Sequence, residues 1–310
     1  MNEKKLQEIK DSLQYFEDRK SRAELRMQEI RYSDEGWYFG LIGFAADFEF
    51  VELEVGRIQK IVEPPGEVEL ASALERNDMF SLFGRYTRGL SYELFIKDDE
   101  VYNERIFDIA WWIISSLRIK TDVDFIVPVA SNRSWSTFAA APKNSVKTRV
   151  IEDFPKATRQ SLDSNVSIDD VVWVKNNFAN FANLLSDTRF RTAIDSLTTH
   201  HLQHNSRMTI ALLWSGIEAI FGIQSELRFR LSAQIASLLE TRGSYRYELH
   251  QKIKKLYDVR SKVVHGSSIT EEKIQEHIIE VRGLLSRIIT YFIESKQIMT
   301  INEFEELLFL

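Results

Sequence analysis

YELHQKIKKLYDVRSKVVHG, residues 247–266, reads as an amphipathic helix stopped by glycine. Leu249, Ile253, Leu256 and Tyr257 recur at spacings of three and four, and the stripe continues to Val264. Gly266 suits the position just past a last helical turn, where the absence of a Cβ makes a left-handed backbone accessible. One residue on the stripe is out of character. Arg260 takes a core-facing place, and a buried guanidinium needs a partner or a wet groove. The helix 206–221 has a matching oddity: Ala211, Trp214, Glu218 and Phe221 share a face, which puts a carboxylate among aromatics. Glu218 is therefore the expected partner of Arg260. Taken alone, these two residues describe a structural ion pair between two helices.

The stretch sits in a half of the chain built for helices. After Pro155 there is no proline, so nothing interrupts helical hydrogen bonding. Helices are expected at 168–185 behind a capping Ser167, at 188–200, and at 206–221 with Gly222 at its end. Others follow at 226–240, 245–265 and 270–293. The last carries Ile274, Ile278, Val281, Leu285, Ile288 and Phe292 at alternating fours and threes, a pattern open to a bundle interior or a dimer seam. The expectation for 161–310 is an all-α helical bundle.

The first half is punctuated differently. All five prolines, Pro64, Pro65, Pro128, Pro142 and Pro155, fall there. A helix is expected at 3–31, with Leu6, Ile9, Leu13 and Phe16 as its apolar face. Aromatic and β-branched runs at 37–41, 48–55, 58–62 and 92–96 read as strands, with a helix at 106–117 and a short strand at 125–127. The polar run ATRQSLDSNVS, 157–167, marks the boundary between a mixed α/β domain, 1–160, and the helical one. The fold class is α+β overall. Glycine-rich phosphate loops, metal-ligand clusters and nucleophile motifs are all missing from the first half, and a sensor or regulatory role is its expected use.

Composition narrows the function classes. The 310 residues include no cysteine, which removes disulfides, thiolate metal sites and cysteine nucleophiles. The opening MNEKKLQEIKDS is too polar for a secretory signal, and the apolar stretch 106–117 is too short to cross a bilayer. A cytoplasmic protein without a membrane partner is expected. The net charge of −6 is no general sign of nucleic-acid binding, yet residues 226–265 hold nine Lys and Arg against four Asp and Glu. Solvated helix faces account for such a run equally well. His200 and His204 are spaced i, i+4, but no carboxylate stands as a third ligand, so no metal is expected. Thr-Thr-His-His there reads as a solvated helix end, Trp111 and Trp112 as core, and His250 and His277 as surface or packing residues.

Arg260-Ser-Lys-Val-Val-His265 has the R-x4-H spacing of the motif that marks HEPN domains. Lys255–Gly266 resembles the motif helix of the Apea-like HEPN branch, and Leu213-Trp-Ser-Gly-Ile-Glu-Ala-Ile-Phe221 resembles that branch's upstream helix. Arg189-Phe-Arg-Thr-Ala193 and Arg207 are similar to its lead-in. The resemblance covers roughly residues 185–295, in order, and does not reach the first half.

The resemblance implies a metal-independent endoribonuclease acting as a homodimer without a cofactor, a toxin or abortive-infection effector of antiphage defence. His265 would move the proton of the ribose 2′-OH or the leaving 5′-oxygen, and Arg260 would hold the scissile phosphate. Glu218 would orient Arg260, and the polar Ser261 follows the arginine as in many such motifs. Lys262, Arg228, Arg230 and Lys255 would contact RNA backbone. Five helical steps separate Arg260 from His265 by about 140° of rotation, so convergence needs the arginine's length or a second copy of the pair across a two-fold axis. A toxic enzyme also implies a regulatory or antitoxin partner. Two other readings stand beside this one: a non-catalytic HEPN module that binds RNA or scaffolds a complex, and a helical dimerisation protein using the 274–292 stripe.

Overall fold

A computed structural model describes residues 3–75, 80–99, 105–121, 123, 125–152, 165–223, 226–264 and 268–309. The chain is α+β, with a six-stranded sheet in its first part and helices throughout its second. It divides into two compact units, residues 1–111 with 123–171 and residues 112–122 with 172–310. The division differs from the expected break at 160 in two places: the first unit runs on to 171, and the second half of one early helix joins the helical unit.

In the first unit, β1 (Gly36–Ile42), β2 (Phe50–Glu52), β3 (Gly56–Lys60), β4 (Leu90–Lys97), β5 (Ile126–Ser131) and β6 (Thr148–Val150) form one sheet in the order β2-β3-β4-β1-β5-β6, every pair antiparallel. β1 lies between β4 and β5, with Trp37 opposite Ile96 and Phe39 opposite Leu94. β5 is buried at every position, which is why it carries no alternation of apolar and polar residues. The run read as one strand at 48–55 is three residues of β2 and a turn, and Gly56 already opens β3. Three elements had no periodicity to betray them: α3 (Glu67–Ala73), α4 (Phe80–Thr87) and a 3-10 segment (Trp135–Ala140). In the last, Trp135 is wholly buried, stacks on Phe138 and donates its indole N–H to the Tyr38 carbonyl at 3.1 Å.

Helix α1 (Glu3–Met27) ends earlier than expected, and a four-residue turn, α2 (Ile30–Ser33), follows. Most of its expected apolar face is not docked: Leu6, Ile9 and Leu13 are exposed and Phe16 is half-buried. The docked half is electrostatic. Arg19, Arg22 and Arg26 reach Glu63 at 3.0, 2.8 and 2.9 Å, and Arg19 also meets Glu69. The hydrogen bond from Arg22, with that from Arg26, holds the Glu63 carboxyl down at about 2.

The helical unit begins with the end of α5 (Ile106–Lys120). The last carbonyls of a helix have no intrahelical donors. Here Arg282 donates to the carbonyls of Arg118 and Thr121, both at 3.1 Å, and Ser286 donates to that of Ile119. These bonds tie 112–122 to the second unit. The rest is α6 (Ile168–Leu184), α7 (Thr188–Thr199), α8 (Ser206–Phe221), α9 (Leu227–Leu239), α10 (Ser244–Val264), α11 (Glu271–Ser295) and a short α12 (Ile301–Glu306). Ser167 caps α6, its hydroxyl accepting from the Asp170 N–H at 3.2 Å. Ile274, Ile278, Val281, Leu285, Ile288 and Phe292 of α11 are all buried inside the unit, so the stripe is bundle interior. Among the described residues no helix is long and apolar enough to cross a membrane.

Gly216 sets the closeness of α7, α8 and α11. A Cβ at this position would stand 2.7 Å from the Ser196 Cβ and 3.2 Å from a Leu285 methyl. In an open helix, alanine would stabilise by up to about 1 kcal/mol relative to glycine. Gly216→Ala is expected to do the reverse, costing about 1–3 kcal/mol through overpacking. Urea denaturation checks this, and a variant as stable as the parent would show the contact to be soft.

Candidate functional site

α8 and α10 bring Glu218 and Arg260 together. α8 is fixed at both ends: the Asn205 side chain accepts from the Arg207 N–H at 2.9 Å, and Gly222 turns left-handed at φ +62°, donating to the Glu218 carbonyl at 3.0 Å. Glu218 thus projects from the last turn of a rigid helix. Arg260 Nη2 approaches Glu218 Oε1 at 3.2 Å, but the direction of that approach makes no hydrogen bond. The one hydrogen bond runs from Nη2 to Oε2 at 3.4 Å, which is long for a charge-assisted pair. Glu218 Oε1 and Arg260 Nε are buried and have no hydrogen-bond partner among the described residues. Burial pushes the Glu218 carboxyl up, and the Arg260 charge offsets only part of that rise.

Aromatics hold the arginine. Its guanidinium lies 5.4 Å from the Tyr257 ring centroid, and Tyr257 meets Trp214 edge-to-face at 5.2 Å. The Trp214 indole donates to His277 Nε2 at 3.1 Å. His277 is a packing histidine: burial lowers it to about 4, so it is neutral near pH 7. Sequence reasoning passed over Tyr257 and His277 as ordinary core and helix residues, because the helical period gives a residue's face but not its neighbour on another helix.

The end of α10 departs from the expected stripe. Val263 is buried and Val264 is 47% exposed, so the core-facing position after Arg260 lies three residues on and not four. Arg207 of α8 donates to the Val263 carbonyl at 2.8 Å, a cation at the helix C-terminus. His265 and Gly266 lie outside the described residues. Ser261 is half-buried on the last turn but one.

The basic window is neutralised in part: four of its nine Lys and Arg pair with carboxylates among the described residues. Arg228 forms a two-pronged pair with Asp258 at 2.6 and 2.7 Å, Arg230 pairs with Glu305, and Lys252 with Glu280. Arg228 and Arg230, named as RNA contacts, are thus engaged within their own unit by acids the sequence places up to 75 residues away. Lys255 and Lys262 stay exposed and make no ion pair among the described residues. Beside the Arg260 platform lies a groove of about 470 Å³ lined by Glu226, Leu227, Arg228, Phe229, Lys254 and Tyr257.

The expected helix end at His200 is not solvated. α7 stops at Thr199, His200 is buried, and its Nδ1 sits 2.6 Å from the Leu197 carbonyl. His200 and His204 therefore do not share a helix face. Trp111 and Trp112 are half-buried. Among the described residues no group of three or more His, Asp or Glu side chains is arranged to hold a metal ion. No family model, no curated protein and no solved structure matches this chain.

Proposed function

We propose that the helical unit is a metal-independent endoribonuclease of HEPN type, in which Arg260 holds the scissile phosphate and His265 moves the proton. The Arg260–Glu218 pair supports this reading most directly. A purely structural ion pair gains most when its polar atoms are all satisfied. This one is loosely bonded and about a fifth exposed, and the Tyr257 under its guanidinium lines an open groove. The exposed part of that guanidinium can meet a phosphate oxygen while Glu218 and Tyr257 keep it aimed. Val264, the last described residue before His265, is solvent-exposed.

In the proposed reaction the ribose 2′-oxygen attacks phosphorus and loses its proton to a base. The bond from phosphorus to the 5′-oxygen breaks, and that oxygen takes up a proton. The products are a 2′,3′-cyclic phosphate and a 5′-hydroxyl, and DNA, lacking the 2′-OH, does not react. Two copies of the chain would place two Arg–His pairs about one cleft. In this reading the protein is a defence effector, and a regulatory partner or trigger restrains it.

The test incubates wild type and His265→Ala with a mixed RNA pool in the presence of a metal chelator, followed by analysis of the ends. Cleavage by wild type alone, leaving cyclic phosphates, is the expected result. Salt-sensitive RNA binding without cleavage would replace the reading with a non-catalytic RNA-binding module.

A further inference from the structure

Among the described residues of the first unit, four arginines are buried or half-buried, in different surroundings: Arg26, like Arg19, reaches Glu63. Arg19 has Glu63 and Glu69, and Arg57 has Asp34 at 2.7 Å. Arg133, just after β5, has no carboxylate partner among the described residues. Its Nε donates to the Thr137 carbonyl at 3.1 Å, and its Nη2 rests on the Met27 sulfur. Burial lowers the Arg133 pKa, and Tyr38 offsets only part of that shift. The guanidinium lines a cavity of about 150 Å³, the room of about five waters.

The other walls define what fits. Asn132 Oδ1 accepts from the Lys147 N–H at 2.9 Å, which leaves its amide NH2 to donate. The rings of Tyr32 and Tyr38 are buried and give an apolar surface. Asp34 also lines the cavity, but it is already paired with Arg57, and Glu35 stands exposed. One uncompensated positive charge inside, with two carboxylates in the lining, calls for a single negative charge. A phosphate dianion would bring a second one against Asp34 and Glu35.

We propose that this cavity binds a small monocarboxylate, its carboxylate on Arg133 and Asn132 and its compact apolar body against Tyr32 and Tyr38. The site is independent of the ribonuclease reading and gives the first unit a ligand chemistry of its own.

The probes are benzoate and propionate, with benzamide as the neutral analogue of benzoate and inorganic phosphate as the competing anion. They are titrated into the full chain by calorimetry and by thermal shift. Saturable binding of at least one carboxylate is expected, with benzamide and phosphate at least tenfold weaker. Arg133→Met is expected to lose at least tenfold in affinity. Arg133 also ties Thr137 and Met27, so a second variant keeps that contact: Ser145→Phe, at an exposed lining position, should block the cavity with the arginine in place. The proposal fails if neither carboxylate binds folded wild type, or if benzamide or phosphate binds as well as benzoate. It also fails if the folded variants retain the wild-type affinity.

Discussion

On the proposed ribonuclease reading, Arg260→Met is expected to lower RNA cleavage by about a thousandfold while the helical unit stays folded. Removing one charged or hydrogen-bonding donor at a transferring phosphoryl group costs roughly 10²–10³ in rate, and an arginine there can be worth more. Lysine should rescue little, because it lacks the planar fork that meets two oxygens at once. Stability should behave asymmetrically. Arg260→Met leaves Glu218, whose carboxyl burial already pushes toward the neutral form, so the loss should stay near 1 kcal/mol. Glu218→Leu instead strands a part-buried cation and should cost about 1–3 kcal/mol, and the double variant should recover part of that. Cleavage rates with a double-mutant cycle in urea check both halves. Cleavage by Arg260→Met within about tenfold of wild type would reduce the pair to a structural tie.

The second large effect lies in the sheet. Glu93 of β4 is wholly buried and accepts from Gln59 Nε2 at 2.5 Å, Ser134 Oγ at 2.6 Å and the Trp135 N–H at 2.8 Å. These donors favour the carboxylate, yet burial outweighs them and pushes the group up to about 7. The native state therefore holds a proton that the unfolded chain releases above about pH 4.5. Stability is fully present below that value and falls as pH rises through about 7, by about 3 kcal/mol at most. Glu93→Gln cannot ionise, so the stability difference between wild type and variant should shift against wild type by about that amount between pH 4.5 and 8. Taking the difference cancels the opposite trend of groups such as Glu63, which lose stability as pH falls. A difference independent of pH would mean that the three donors hold Glu93 ionised throughout.

What was legible in the sequence was what is written along the chain. Helices α6 to α11 could be placed from proline absence, period and end signals, because each is long enough for its apolar stripe to repeat. Strands β1 and β4 were legible from their aromatic and β-branched runs. α3 and β6 were not, having too few residues for a period to repeat. Arg260 and Glu218 stood out because each is a charge on an apolar face, a signal that survives without coordinates.

The rest needed contacts between distant residues. Whether α11 faced a partner or its own bundle was undecidable from its stripe, since burial looks the same from one helix; packing decided for the bundle. The basic window presents fewer free cations than its sequence suggests, because Asp258 pairs within it and Glu305 and Glu280 come alongside from outside it. The sequence by itself determined the helical half, the sheet-bearing half and the misplaced charges, all set by local period and by the cost of burying ions. Only the tertiary structure decided which arginines are neutralised, that the described part of α1 docks through Glu63, and that Arg133 lines a cavity with no counterion among the described residues. Desolvation and pairing are properties of three-dimensional neighbours, and those do not exist until the chain has folded.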